Sequence, residues 1–197
     1  MKPSYVTDLA LKSFIISALQ EDVGDGDHSS LAAVPAKAQG KARLLVKEDG
    51  ILAGIEAAVA IFNEVDTTLK VDICIADGQQ VKRGDIALIV SGNAQKILTA
   101  ERLVLNTMQR MSGIATKTRR IVRLLDGTPT KVLDTRKTTP NFRMMEKWAV
   151  RIGGGENHRF GLFDMIMLKD NHIDYAGGIV PALRAAKDYL NRTGKNL

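Results

Sequence analysis

The chain has 197 residues, of which 45% are apolar, 25% charged and 5% aromatic, a composition that excludes a disordered or fibrous protein. Its apolar runs, such as Ile86 to Val90, fall far short of the roughly 18 residues a spanning helix needs, and no signal-peptide core follows Met1, so no membrane partner and a cytoplasmic location are expected. The single cysteine, Cys74, excludes an internal disulfide and a cysteine-rich zinc module, and the net charge of +6 favours a polyanionic partner.

In chain order, Leu9, Phe14, Ala18 and Leu19 recur near a helical period after Asp8, and the helix they predict runs into the acidic, glycine-broken loop Glu21 to Asp27. Lys41 to Glu48 is β-prone, and Gly54 to Val65 returns to a helical pattern through Ile55, Ala58, Val59, Ile61 and Phe62. Leu69 to Ile75 alternates as a strand, with Cys74 on the face of Asp72 and read as an inert, small buried hydrophobe. Ile86 to Val90 is a second short strand beyond Asp77-Gly78 and Arg83-Gly84-Asp85. Asn93 to Leu125 is long and helical, and Ser112-Gly113 predicts either two consecutive helices or one with a kink.

After Gly127-Thr128-Pro129 the rhythm changes to strand, helix, strand, helix: Lys131 to Asp134, Met144 to Ile152, Met165 to Leu168, and Ile179 to Leu190. Continuous apolar strands between amphipathic helices predict a parallel α/β sheet covered on both faces. In such folds ligands gather beyond the carboxyl ends of strands, which selects Thr135, Arg136 and Lys137, and then Lys169, Asp170, Asn171 and His172.

The segment from Thr135 to His172 carries seven basic residues against four acidic ones. Arginines bind carboxylate or phosphate as bidentate forks, whereas Lys137 and Lys169 act as compact charges, so the set suits a planar acid together with phosphates. Gly153-Gly154-Gly155 reads more readily as a tight connector than as a phosphate cradle, because neither a Walker loop nor a dinucleotide fingerprint surrounds it. Three histidines are too few for a metal triad to be expected, and Arg119, Arg120 and Arg123 read as an exposed helix face.

Five ordered motifs carry a resemblance. They are Glu101-Arg102-Leu103-Val104-Leu105-Asn106 followed by Met111-Ser112-Gly113-Ile114-Ala115-Thr116; Asp134-Thr135-Arg136-Lys137-Thr138; Gly153-Gly154-Gly155-Glu156-Asn157-His158-Arg159; Leu168-Lys169-Asp170-Asn171-His172; and the early run Glu21 to Asp27. Across essentially the whole chain the sequence resembles quinolinate phosphoribosyltransferase, the carboxylating nicotinate-nucleotide pyrophosphorylase of NAD biosynthesis. The resemblance implies an N-terminal α+β sandwich-like domain, here 1–108, followed by an incomplete α/β barrel, here 109–197. It implies a homodimer or larger assembly in which Arg102 reaches into the neighbour's site.

Thr135, Arg136, Lys137, His158 and Arg159 would hold the quinolinate carboxylates. Lys137 and Lys169, the implied catalytic lysines, would neutralise phosphoribosyl pyrophosphate, with Mg²⁺ as cofactor on the departing pyrophosphate. The family's acidic metal pair falls beyond Leu197, so the metal ligands are unassigned. The 109–197 segment is also far shorter than the roughly 200 or more residues an α/β barrel of this general kind needs, which predicts a truncated form whose activity alone is in question.

Three rival readings compete with this one. A paralogous protein associated with molybdenum transport would share Thr135 to Thr138, but Arg102, His158 and Arg159 favour the quinolinate reading. Ile75 to Asp85 resembles the turn chemistry of biotinyl or lipoyl carriers, yet no lysine stands in the hairpin-tip context that modification needs. A nucleic-acid binder rests only on the basic balance and the arginine-bearing helix, with no aromatics interleaved among the basic residues, and is disfavoured.

Overall fold

The computed structural model describes residues 2–197. By packing it divides into two units, the first ending at Asn157 and the second being His158–Leu197.

The first unit opens with helix α1 (Asp8–Val23), capped by Thr7, whose side chain accepts from the Ala10 N–H. Its buried stripe is Leu11 and Ile15, flanked by partly buried Phe14, Ala18 and Leu19. Leu9, expected on that stripe, is 79% exposed, because at about 100° per residue it lies on the far side of the helix from Leu11. A short helix, α2 (His28–Ala33), follows the acidic loop and is capped by Asp27, which accepts from the backbone and hydroxyl of Ser30.

Strands β1 (Gln39–Leu45) and β2 (Gly50–Ile51), helix α3 (Ile55–Val65), and strands β3 (Lys70–Ile73), β4 (Gln80–Val81) and β5 (Ile86–Asn93) come next. They form two antiparallel sheets, one ordered β1-β5-β3 and one pairing β2 with β4. Central β5 buries Ala87, Leu88 and Val90, the apolar run visible in the sequence. Cys74 lies just past β3 and is exposed, not buried as expected, since it falls on the outward face with Asp72 at the end of a short strand.

Helix α4 (Ala94–Leu124) is one uninterrupted helix of 31 residues, not two. Ser112 and Gly113 do not break it because tertiary bonds hold that turn. Ser112 Oγ accepts from the Ala53 N–H and donates to the Ala53 carbonyl, and one turn on Thr116 Oγ1 accepts from the Ile51 N–H. A boundary at 108/109 therefore falls inside α4, whereas the packed units part after Asn157.

The core packs α3 against α4 through Ala57, Ala58, Ile61, Ala100, Val104 and Met111. Small residues and Gly54 bring the backbones close: a Cβ on Gly54, whose φ is +100°, would stand 3.2 Å from the Met108 Cα. Helix α5 (Arg143–Ile152) adds Met145, Trp148 and Ala149 to this core.

Between α4 and α5 the expected strand Lys131 to Asp134 is not formed. Only an isolated parallel bridge joins Leu133 to Glu156, closed by Glu156 N–H to the Val132 carbonyl and Asp134 N–H to the Glu156 carbonyl. In the second unit, Met165 to Leu168 is likewise irregular and leads to α6 (Asp170–Ala176) and α7 (Ile179–Thr193). The physical reason is the same for both. A strand needs a neighbour's backbone to complete its hydrogen bonds, and among the described residues Val132–Asp134 finds one short stretch while the second unit contains no strand. The observed architecture is thus mixed α/β with antiparallel sheets. No described helix is long and apolar enough to cross a membrane.

Candidate active site

The loop from Asp134 to Phe142 is held at both ends by polar contacts. Its amino end is held by the bridge to Glu156 and by the Asp134 carboxylate, which accepts from Lys147 Nζ at 2.5 Å and from Asn157 Nδ2 at 2.6 Å. Its carboxyl end is held by Glu146, a buried carboxylate on α5 that accepts from the Thr139 N–H at 3.2 Å and hydroxyl at 2.9 Å, and from Arg110 of α4 at 2.6 Å. Arg143 Nε donates to Thr138 Oγ1 at 3.0 Å.

Between these fixed ends stand the candidates Thr135, Arg136 and Lys137. The Lys137 N–H donates to Thr135 Oγ1 at 3.1 Å, a local turn that leaves both side chains at the surface. Arg136 is half-buried, and its Nε is buried with no protein acceptor. An unpaired buried N–H costs roughly 1–3 kcal/mol, and an acceptor from an anion would recover it.

The glycine run does not cradle an anion. Gly153 ends α5, and the N–H groups of Gly153, Gly154 and Gly155 donate to the carbonyls of Ala149, Arg151 and Val150. Its glycines are required by packing, since a Cβ on Gly153 would meet the Ala115 carbonyl oxygen at 2.6 Å and Thr118 Cβ at 2.7 Å. Arg119, expected on an exposed face, instead donates from Nε to the Gly153 carbonyl at 2.9 Å and from Nη2 to the Ile152 carbonyl at 3.3 Å. It caps the end of α5, where a cation is favoured by the helix dipole, and so leaves the basic face a nucleic-acid binder would use.

Arg102 is exposed on α4 and lines a recess of about 600 Å³ with Asp27, Ser29, Ser30, Val34, Leu98 and Glu101. That lining does not include Thr135, Arg136 or Lys137. In the second unit, the Arg159 N–H donates to His158 Nδ1 at 2.8 Å, and the buried Arg159 side chain donates from Nη1 to the Met165 carbonyl at 3.1 Å. Phe160 and Gly161 N–H groups both donate to the Asp164 carboxylate, which shapes the turn that follows. Lys169 is exposed at the start of α6, where its N–H donates to His172 Nδ1 at 3.1 Å. Among the described residues no group of three or more His, Cys, Asp or Glu side chains is gathered to hold a metal ion.

The sequence does not single out Tyr5 or Arg110, shows Glu146 and Lys147 only as charge, and shows Asn157 only within a motif. Tyr5 Oη donates to Asn157 Oδ1 across 152 positions, a pairing no local pattern discloses. Burial, and next the nearby Asp134 charge, push the Tyr5 phenol well above the usual tyrosine range.

The fold is mixed α/β, and its pinned loop carries an arginine whose buried N–H can take an acceptor from an anion. Comparison with known families is more specific. The model of the quinolinate phosphoribosyltransferase C-terminal domain matches residues 114–196 and that of the N-terminal domain residues 27–112. The chain belongs to the quinolinate phosphoribosyltransferase family.

It is 49% identical over 98% of its length to quinolinate phosphoribosyltransferase [decarboxylating] 1 of Nicotiana glauca, covering 55% of that protein. It is 50% identical over 100% of its length to the chloroplastic carboxylating nicotinate-nucleotide pyrophosphorylase of Arabidopsis thaliana, covering 56%. Among solved structures, NadC from Streptococcus pyogenes superposes with a TM-score of 0.87 at 41% identity, over 93% of this chain and 65% of that one. The chain spans about half the length of the curated relatives it matches.

Proposed function

We propose that this chain carries the quinolinate-binding part of a phosphoribosyltransferase of NAD biosynthesis, which joins quinolinate to phosphoribosyl pyrophosphate and releases pyrophosphate, CO₂ and nicotinate mononucleotide. The observation that carries this reading is Arg136, whose half-buried guanidinium offers an unsatisfied N–H from a loop fixed at both ends. A pyridine dicarboxylate supplies the acceptor, and a fixed donor spends little free energy on reorganisation.

Each further residue has a role in this proposal. Arg136, Thr135, Lys137, His158 and Arg159 are proposed to bind and orient the dicarboxylate. Lys137 and Lys169, both exposed, place positive charge for the phosphates, and catalysis is positioning and electrostatics with no side-chain nucleophile. Mg²⁺, when bound, offsets charge on the pyrophosphate; the described residues do not fit a dedicated cage for it, and it is proposed to arrive on the substrate phosphates.

The proposal extends to organisation. A sandwich-like domain over 1–108 and the first part of an α/β barrel over 109–197 are proposed, and two family models that meet between residues 112 and 114 support a division near that point. A cytoplasmic homodimer is proposed, with Arg102 offered to the partner; its exposure on α4 supports that role. The test is a calorimetric titration of the chain with pyridine-2,3-dicarboxylate, followed by an assay for the mononucleotide. Saturable binding that Arg136→Ala weakens is expected; equal affinity in both proteins would overturn the assignment.

A further inference from the structure

The first unit buries a charge that the proposed chemistry does not use. Lys147 lies in the middle of α5 with its side chain 1% exposed, and its Nζ reaches Asp134 Oδ1 at 2.5 Å. Asn157 closes the arrangement, because its Nδ2 donates both to Asp134 Oδ2 at 2.6 Å and to the Lys147 carbonyl at 2.9 Å. Its Oδ1 accepts from Tyr5 Oη at 2.9 Å. Lys147, Asp134 and Asn157 therefore form a closed ring, and Tyr5 ties the segment before α1 to it.

Such a ring is a poor source of stability. Desolvating two charges offsets most of their attraction, and apolar side chains of similar volume would serve the core as well. What the ring supplies is direction. Both Asp134 oxygens are held, from two different segments, while its backbone is held by Glu156. Asp134 precedes Arg136 by two residues, and Glu146 pins Thr139 three residues beyond. A bidentate carboxylate contact loses its geometry when the guanidinium is displaced by about 1 Å.

We infer that Asp134, Lys147, Asn157 and Tyr5 are positioning residues that hold Arg136 in place for its carboxylate, an inference that rests on the function proposed above. Their work is done through the loop backbone, without touching the ligand.

The experiment uses the full chain in two variants. Tyr5→Phe removes one hydroxyl and no charge; Asp134→Leu with Lys147→Met replaces the ion pair by apolar groups. Hydrogen exchange at the amides of 135–137 and at Arg136 Nε–H is followed by NMR without ligand, and dicarboxylate affinity is then measured. Exchange at these sites is expected to rise about tenfold in both variants, more than at the core amides of α3 and the first half of α4, whose rates follow global stability. Affinity should fall by about the same factor, and Tyr5→Phe should add nothing in an Arg136→Ala background.

Unchanged exchange at 135–137 in folded Tyr5→Phe protein would overturn the inference, as would a rise spread evenly over the chain. Should the paired variant fail to fold, Tyr5→Phe decides alone. Loss of protection at 135–137 in the variants of a wild-type chain that binds no dicarboxylate would sink the functional reading and leave the positioning of the Arg136 loop standing.

Discussion

Arg136 carries a cost that only an acceptor offsets, since its Nε is buried without a partner while the backbone on either side is fixed. Removing the guanidinium relieves that cost in the free protein and strips a charge-assisted contact from the complex. Arg136→Ala is therefore expected to weaken dicarboxylate binding by about tenfold to a hundredfold, the equivalent of roughly 1.5–3 kcal/mol, with no fall in the denaturation midpoint of the free protein. Lys137→Ala should behave differently. Its side chain is exposed and its backbone already turns onto Thr135, so the larger expected loss is in affinity for phosphoribosyl pyrophosphate, with a smaller loss in dicarboxylate affinity. Titrations with each substrate separate the two. Arg136 and Lys137 were legible as candidates because residue type alone discloses a capacity for anions. The partners that fix them were not: Tyr5 and Asn157 stand 152 positions apart, and Glu146 and Lys147 read as ordinary helix charges until burial shows otherwise.

Elements with their own apolar period were equally legible. The patterns read over Gly54 to Val65 and Met144 to Ile152 correspond to α3 and α5, because each helix buries the stripe its sequence repeats. Periodicity failed where hydrogen bonding depends on a neighbour, at Val132 to Asp134 and Met165 to Leu168, and where distant bonds override a local breaker, at Ser112-Gly113. Two of these elements make testable commitments. Asp77, in the turn that resembled a carrier domain, accepts from the N–H groups of Ile55 and Glu56 and caps α3, whose preceding residue, Gly54, has no side chain to do so. Asp77→Ala should cost about 1–2 kcal/mol by urea denaturation, and Asp77→Asn, which keeps an acceptor, clearly less. Gly153→Ala forces a Cβ onto the Ala115 carbonyl oxygen, where α5 meets α4; a loss of roughly 1–3 kcal/mol is expected from overpacking. A denaturation midpoint equal to wild type would show that the helices give way without strain.

At the scale of the molecule, the ends of the first unit are joined through Tyr5 and Asn157, and this link ought to register in the dependence of stability on pH. Burial and the Asp134 charge raise the folded-state phenol above the value of 10.0 it has when exposed. The folded chain therefore holds the Tyr5 proton at pH values where the unfolded chain has released it. By linkage, the stability this group contributes is fully present below about pH 10 and declines as pH rises through the folded value. Other groups also titrate in that range, and Tyr5→Phe isolates the one of interest. Near neutral pH the wild type should exceed Tyr5→Phe by about 1 kcal/mol, the ordinary worth of one hydrogen bond. That advantage should shrink as the denaturation series is carried from about pH 8 to about pH 11, on either side of the free phenol's titration. A gap that stays constant across the series would mean that Tyr5 ionises as freely in the folded chain as in the unfolded one, and no gap near neutral pH would mean that the hydroxyl does not tie the amino-terminal segment to Asn157.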